Sequence, residues 1–177
     1  PHRIWTRHSV YGDMSHGQIA RYRKAVREAG AVIAVSDAVH RHCLQTEGLP
    51  EDKVSTIVNG IDTRRFSPQP QAQQHALRRE LDHPHDTAFL TFVGRFIALK
   101  APVEFVRLVA RLASTGRRVR GYICGRGPLQ EAIVHEIARL GAPISLLGLR
   151  DDIPDVLAAS DLFVSTSRVE GLPLNIM

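Results

Sequence analysis

No apolar run in the chain approaches the roughly 20 residues needed to cross a bilayer, which excludes a transmembrane helix within it. There are only two cysteines, Cys43 and Cys124, far apart and in apolar surroundings. A disulfide framework is therefore excluded, and a reducing compartment fits better. Charge of one sign is not concentrated anywhere. Residues 1–67 hold 10 basic and 7 acidic side chains and the remainder 13 and 11, so no arm or tail gathers cations. A nucleic-acid footprint is not indicated, whereas anionic small molecules such as nucleotides are compatible with the net charge of +5. With 44% hydrophobic and 23% charged residues, the 177-residue chain has material for a real core and is not disordered in general. It starts at Pro1, ends on an apolar run at Met177, and reads as an internal segment of a longer protein.

Apolar spacing through Ile19, Tyr22, Val26 and Ala29 predicts a helix over 18–30. The continuous run 31–35 predicts a strand buried on both faces, and Ser36 is a natural N-cap for a helix reaching Gly48. A short β-branched strand over 54–58 follows, stopped by Asn59-Gly60. Pro68, Pro70, Pro84 and a Gln-rich stretch then interrupt the pattern, predicting a connector over 63–87 that carries one polar helix. Beyond it strands alternate with helices: 89–93, a helix opened by Pro102, 119–124, a helix over 129–140, 144–147, a short helix around Val156 and Ala159, and 162–164. That rhythm means right-handed βαβ units and a covered parallel sheet, so the fold class is α/β.

Ligands of such sheets bind outside the carboxyl ends of the strands. Those ends carry Gly94-Arg95, Gly125-Arg126-Gly127, Gly148 and Ser165-Thr166-Ser167, followed by Glu170-Gly171. Several glycine turns along one edge make a cleft that a ligand can enter closely. Arg95 and Lys100 can offer that cleft a planar fork and a point charge, a pairing suited to phosphate. Pro173 suits the first turn of a helix, which would leave the amides near Gly171 and Leu172 for an anion, with Glu170 placed for sugar hydroxyls. Gly125-Arg126-Gly127 is an incomplete dinucleotide motif, because Gln130 stands where a third glycine belongs. His40-x-His42 and His83-x-His85 lack supporting cysteines or acids and read as surface residues rather than metal ligands.

An ordered set of short motifs resembles the retaining glycosyltransferases of family 4, which have the GT-B fold of two Rossmann-like domains. The set comprises Ala34-Val35-Ser36, Val58-Asn59-Gly60-Ile61-Asp62, Arg65-Phe66-Ser67-Pro68 and Phe92-Val93-Gly94-Arg95 with Lys100. It continues through Cys124-Gly125-Arg126-Gly127-Pro128, Leu147-Gly148, and Ser167 with Glu170-Gly171-Leu172-Pro173. The resemblance implies residues 1–62 as the tail of an acceptor-side Rossmann-like domain, 63–87 as connector, and 88–177 as a truncated donor-binding domain. It implies sugar transfer from a nucleotide-diphosphate sugar to an acceptor hydroxyl with retention, in cell-envelope or polysaccharide biosynthesis. Arg95 and Lys100 would hold the diphosphate, Glu170 the donor sugar, and His8, in Trp5-Thr6-Arg7-His8, would face the transferring sugar. Gly94, Gly125, Gly127, Ser167, Gly171 and Leu172 would complete the donor site.

The resemblance further implies a lipid-linked or saccharide acceptor and a cytoplasmic location with peripheral association at the inner face of the membrane. No cofactor or metal is expected, since two cations and a helix start can do the charge work. Two departures stand out. Ala101 replaces the family's usual glycine after Lys100, and a second glutamate would be the residue after Met177, so the segment alone is not expected to turn over. A GT-B epimerase or phosphorylase, and a non-catalytic nucleotide-sugar binding remnant, are the competing readings.

Overall fold

The described strands pair in parallel in two sheets, and the apolar strands over 88–93 and 119–124 are largely buried on both faces. A computed structural model describes residues 3–10 and 15–177. They form two compact units, Pro1–Ile61 with Val169–Asn175, and Asp62–Arg168.

The first unit runs β1 (Ile4–Arg7), α1 (His16–Glu28), β2 (Ala31–Ala34), α2 (Asp37–Gln45) and β3 (Val54–Thr56), with strand order β1-β2-β3. A capping box starts α1: the Gln18 N–H donates to Ser15 Oγ at 3.3 Å and the Ser15 N–H to Gln18 Oε1 at 2.9 Å. Val26, Val32, Val35, Val39, Cys43 and Leu49 make the core. Two differences from the sequence reading are physical. Strand β1 was not expected, because Thr6 and Arg7 break its apolar character; it is ordered by pairing with β2 in the register Ile4 to Ala31 and Arg7 to Ala34. Strand β3 stops at Thr56, and Ile57 and Val58 lie exposed beyond it.

The second unit opens with α3 (Gln71–Glu80), the polar helix expected in the connector, which packs against α6 (Ile153–Ala159). The rest alternates β4 (Ala88–Val93), α4 (Pro102–Ser114), β5 (Val119–Cys124), α5 (Gln130–Leu140), β6 (Ile144–Gly148), α6 and β7 (Leu162–Phe163). The strand order is β6-β5-β4-β7. Alternate residues of β4 and β5 feed two cores: Leu90, Phe92 and Ile123 join Phe105, Val109 and Ile133, while Phe89 and Tyr122 join Leu77, Val156 and Ala159. The Phe89 and Tyr122 rings stack with centroids 3.9 Å apart.

Two expectations are corrected. His83 is not a surface residue: it is buried, with Nδ1 3.0 Å from the Tyr122 hydroxyl and Nε2 2.7 Å from the Thr87 carbonyl oxygen. Burial holds its imidazole below the ordinary pKa. Pro173 is followed by a turn over 174–176 rather than by a helix.

Candidate functional site

At the carboxyl end of β4, β5 and β6 a cavity of about 330 Å³ is lined by Val93, Gly94, Arg95, Cys124, Gly125, Arg126, Leu149, Arg150 and Ile153. Its shape comes from glycine. Gly125 has φ +140°, and a β-carbon there would overlap the Gly94 carbonyl oxygen. Gly127 has φ +158°, and a β-carbon there would sit 2.6 Å from the Phe96 carbonyl oxygen. Main-chain bonds close the same seam, from the Gly94 N–H to the Cys124 oxygen at 3.0 Å and from the Phe96 N–H to the Arg126 oxygen at 2.9 Å. The loops after β4 and β5 thus touch backbone to backbone, which any larger residue would prevent.

The charge balance of the cavity is one-sided. Arg150 is neutralised by a bidentate pair with Asp152, at 2.7 and 2.6 Å, and by Glu80 at 3.3 Å. These carboxylates, Asp152 foremost, raise its pKa further. Arg95 is exposed and its side chain makes no hydrogen bond or ion pair among the described residues. Burial pushes the Cys124 thiol up to about 11, so it lines the cavity as a neutral, apolar group.

Lys100 lies on the loop leading to α4. Its carbonyl accepts from Thr166 Oγ1 at 3.1 Å, and the Leu99 carbonyl accepts from the Arg168 N–H at 2.8 Å. The loop carrying Lys100 is therefore tied to the segment carrying Ser167. Ala101 completes the loop in the left-handed region, φ +45° and ψ +50°. A residue lacking a β-carbon fits that conformation at lower energy, which is why the glycine expected there is physically natural.

The remaining candidates belong to the first unit. Arg7, at the end of β1, is buried in an ion pair with Glu47 and lies 4.7 Å from the Tyr22 ring centroid. That anchorage fixes the chain where exposed His8 leaves the strand. Gly171 packs on His8: a β-carbon at 171 would lie 2.8 Å from the His8 carbonyl carbon and the Ser9 Cα. Ser36 Oγ donates to the Gly171 carbonyl at 2.6 Å while accepting from the Val39 N–H at 3.2 Å. Leu172 packs against the Val26 and Val39 core, and Glu170 falls in the same unit.

The candidates therefore fall into two groups: Gly94, Arg95, Lys100, Gly125, Gly127 and Ser167 in one unit, and His8, Glu170, Gly171 and Leu172 in the other. Residues 169–175 pack with the first unit.

Residues 87–177 match the family described as glycosyl transferases group 1, and residues 1–65 match glycosyltransferase family 4. The chain belongs to the glycosyl transferases group 1. Among similar proteins of this group is the D-inositol 3-phosphate glycosyltransferase of Kineococcus radiotolerans, 27% identical over 89% of this chain and 39% of that protein. Another is the UDP-Gal:alpha-D-GlcNAc-diphosphoundecaprenol alpha-1,3-galactosyltransferase of Escherichia coli, 30% identical over 76% of this chain and 36% of its own length. The chain thus spans about two fifths of the length of such relatives. HepE of Anabaena, solved with UDP and glucose, superposes with TM-score 0.81 at 24% identity over 93% of this chain and 46% of that one. The pneumococcal O-GlcNAc transferase GtfA gives TM-score 0.75 at 16% identity over 99% of this chain and 35% of its own. The α/β architecture is thus that of GT-B glycosyltransferases.

Three features of this group 1 chain escaped the sequence. The lining by Val93, Leu149 and Ile153 left no signal beyond ordinary apolar strand and helix ends. Ser36 was legible as a cap but not as a tether for Gly171, which lies 135 positions away. The counter-charges of Arg150 come from Glu80 and Asp152, and only the second is near it in sequence.

Proposed function

We propose that this chain supplies the donor-binding part of a glycosyltransferase that uses a nucleotide-diphosphate sugar and transfers its sugar to an acceptor hydroxyl with retention. One observation supports the reading: a glycine-built cavity at the carboxyl edge of the second sheet that, among the described residues, presents Arg95 without a counter-ion and has no acidic lining residue. As the anomeric bond breaks, negative charge grows on the leaving diphosphate. Arg95 and Lys100 stabilise that charge more in the transition state than in the ground state, and no metal is required for this. Glu170 accepts hydrogen bonds from donor-sugar hydroxyls, His8 faces the transferring sugar, and the Gly171 and Leu172 amides hold the donor. Gly94, Gly125, Gly127 and Ser167 let the diphosphate approach main chain.

The relatives point in the same direction. The galactosyltransferase uses UDP-Gal and a diphosphoundecaprenol-linked sugar, and HepE was solved with UDP-glucose. By extension we assign this protein a saccharide or lipid-linked acceptor in cell-envelope or polysaccharide biosynthesis, at the inner face of the membrane. No described helix is long and apolar enough to cross a membrane.

The test is sugar transfer by the protein expressed from its complete reading frame, over a panel of nucleotide sugars and saccharide or lipid-linked acceptors. Lys100→Ala is expected to lower the rate by about 100-fold, the effect of losing one preorganised donor of roughly 3 kcal/mol. Unchanged transfer by that variant contradicts the catalytic role.

A further inference from the structure

We infer that Arg126 is a second guanidinium contact for the anionic ligand, so that the cavity grips two phosphates with two arginines. The inference rests on the proposed donor reading and deepens it, since that reading assigns Arg126 no role. Arg126 lines the same cavity as Arg95. Like Arg95 it is exposed, and its side chain makes no hydrogen bond or ion pair among the described residues. The third arginine of the lining, Arg150, is held by Asp152 and Glu80. Among the described residues, Asp and Glu are absent from the lining. Two guanidiniums therefore share one concave surface with no carboxylate paired to either among the described residues, which focuses positive potential on the space between.

Their spacing is not left to chance. Arg126 stands between Gly125 and Gly127, and both glycines press on backbone at Gly94 and Phe96, the residues on either side of Arg95. The Phe96 N–H also bonds the Arg126 carbonyl oxygen at 2.9 Å. The two arginines are thus carried by main chain that is locked together, and each planar fork can meet its own phosphate oxygens. A ligand with one phosphate uses one fork; a diphosphate uses both.

The test is an NMR titration of this chain with inorganic pyrophosphate and, separately, orthophosphate, following the Nε–H resonances of Arg95 and Arg126. Both resonances are expected to shift with one common dissociation constant for pyrophosphate. Arg126→Gln is expected to weaken pyrophosphate about tenfold and to flatten its salt dependence, with orthophosphate affected far less, and Arg126→Lys is expected to recover part of the loss. If Arg126→Gln binds pyrophosphate as tightly as the unaltered chain while Arg95→Gln does not, the inference fails and the donor reading stands. If the unaltered chain takes up no pyrophosphate, both fail. Chemical shifts elsewhere in the spectrum show whether each variant is folded.

Discussion

Gly171 lies directly on the backbone of His8, so close that a β-carbon at 171 would overlap the His8 carbonyl oxygen. Two residues 163 positions apart are thereby held in one unit, and Ser36 secures the same segment by donating its hydroxyl to the Gly171 carbonyl. Replacing Gly171 by Ala must push the segment off β1. The expected cost is about 1–3 kcal/mol, the usual range for overpacking, with faster amide exchange at residues 169–175. Exchange as slow as in the unaltered chain contradicts this packing.

Ser36→Ala removes the cap of α2 and the tether together. Cap loss alone costs about 0.5–2 kcal/mol, and Ser36→Thr keeps an oxygen for the Val39 amide. Urea denaturation is expected to rank unaltered chain, then Thr, then Ala.

Ala101 carries the second backbone test. It is buried with φ +45°, a region that a side-chain-bearing residue occupies at a cost of about 1 kcal/mol or more. Ala101→Gly relieves that cost but adds freedom to the unfolded chain, so the net change is expected within about 0.5 kcal/mol. Ala101→Val puts a β-branched side chain there and is expected to destabilise by about 2 kcal/mol. Equal melting temperatures for Val and Gly variants contradict the left-handed assignment.

Much of the architecture was legible because buried parallel strands announce themselves. The runs at 31–35, 89–93 and 119–124 have no polar alternation, and Pro102 marks a helix start at its favoured position. What was not legible depends on partners distant in the chain. β1 is ordered through its ladder to β2, and His83-x-His85, lacking supporting cysteines or acids, gives no sign of the Tyr122 hydroxyl that meets His83 from 39 positions away. The glycines of the edge were legible as turns; that Gly125 and Gly127 clamp the loop of Arg95 needed coordinates.

Buried His83 gives a pH prediction. Its folded-state pKa lies below the ordinary 6.5 because of burial, so between the two values the unfolded chain binds more protons. Stability is therefore full above pH 6.5 and falls as pH drops through the window beneath it. Melting temperature is expected to decline from pH 7.5 to pH 5 in the unaltered chain, and less steeply in His83→Asn. Parallel declines in the two chains contradict the assignment.

Glu136 acts at lower pH. Hydrogen bonds from Arg139 at 2.6 Å and Arg107 at 2.7 Å hold its carboxyl at about 2, down from 4.5. The stabilisation is present above pH 4.5 and is lost as pH falls toward 2. The advantage of the unaltered chain over Glu136→Gln, measured by urea denaturation, is expected to shrink between pH 5 and pH 2.5; a constant difference contradicts the ion-pair account.

On the proposed function, the edge carrying Arg95 and Lys100 receives the diphosphate of a nucleotide. Its most direct test is calorimetric titration of this chain with UDP, GDP and the matching nucleosides, repeated with Arg95→Gln and Lys100→Gln. One diphosphate is expected to bind, its nucleoside far more weakly, and each substitution is expected to lose about 10- to 100-fold, the worth of one charge-assisted contact of about 1.5–3 kcal/mol. Diphosphate binding that is indifferent to both substitutions contradicts it.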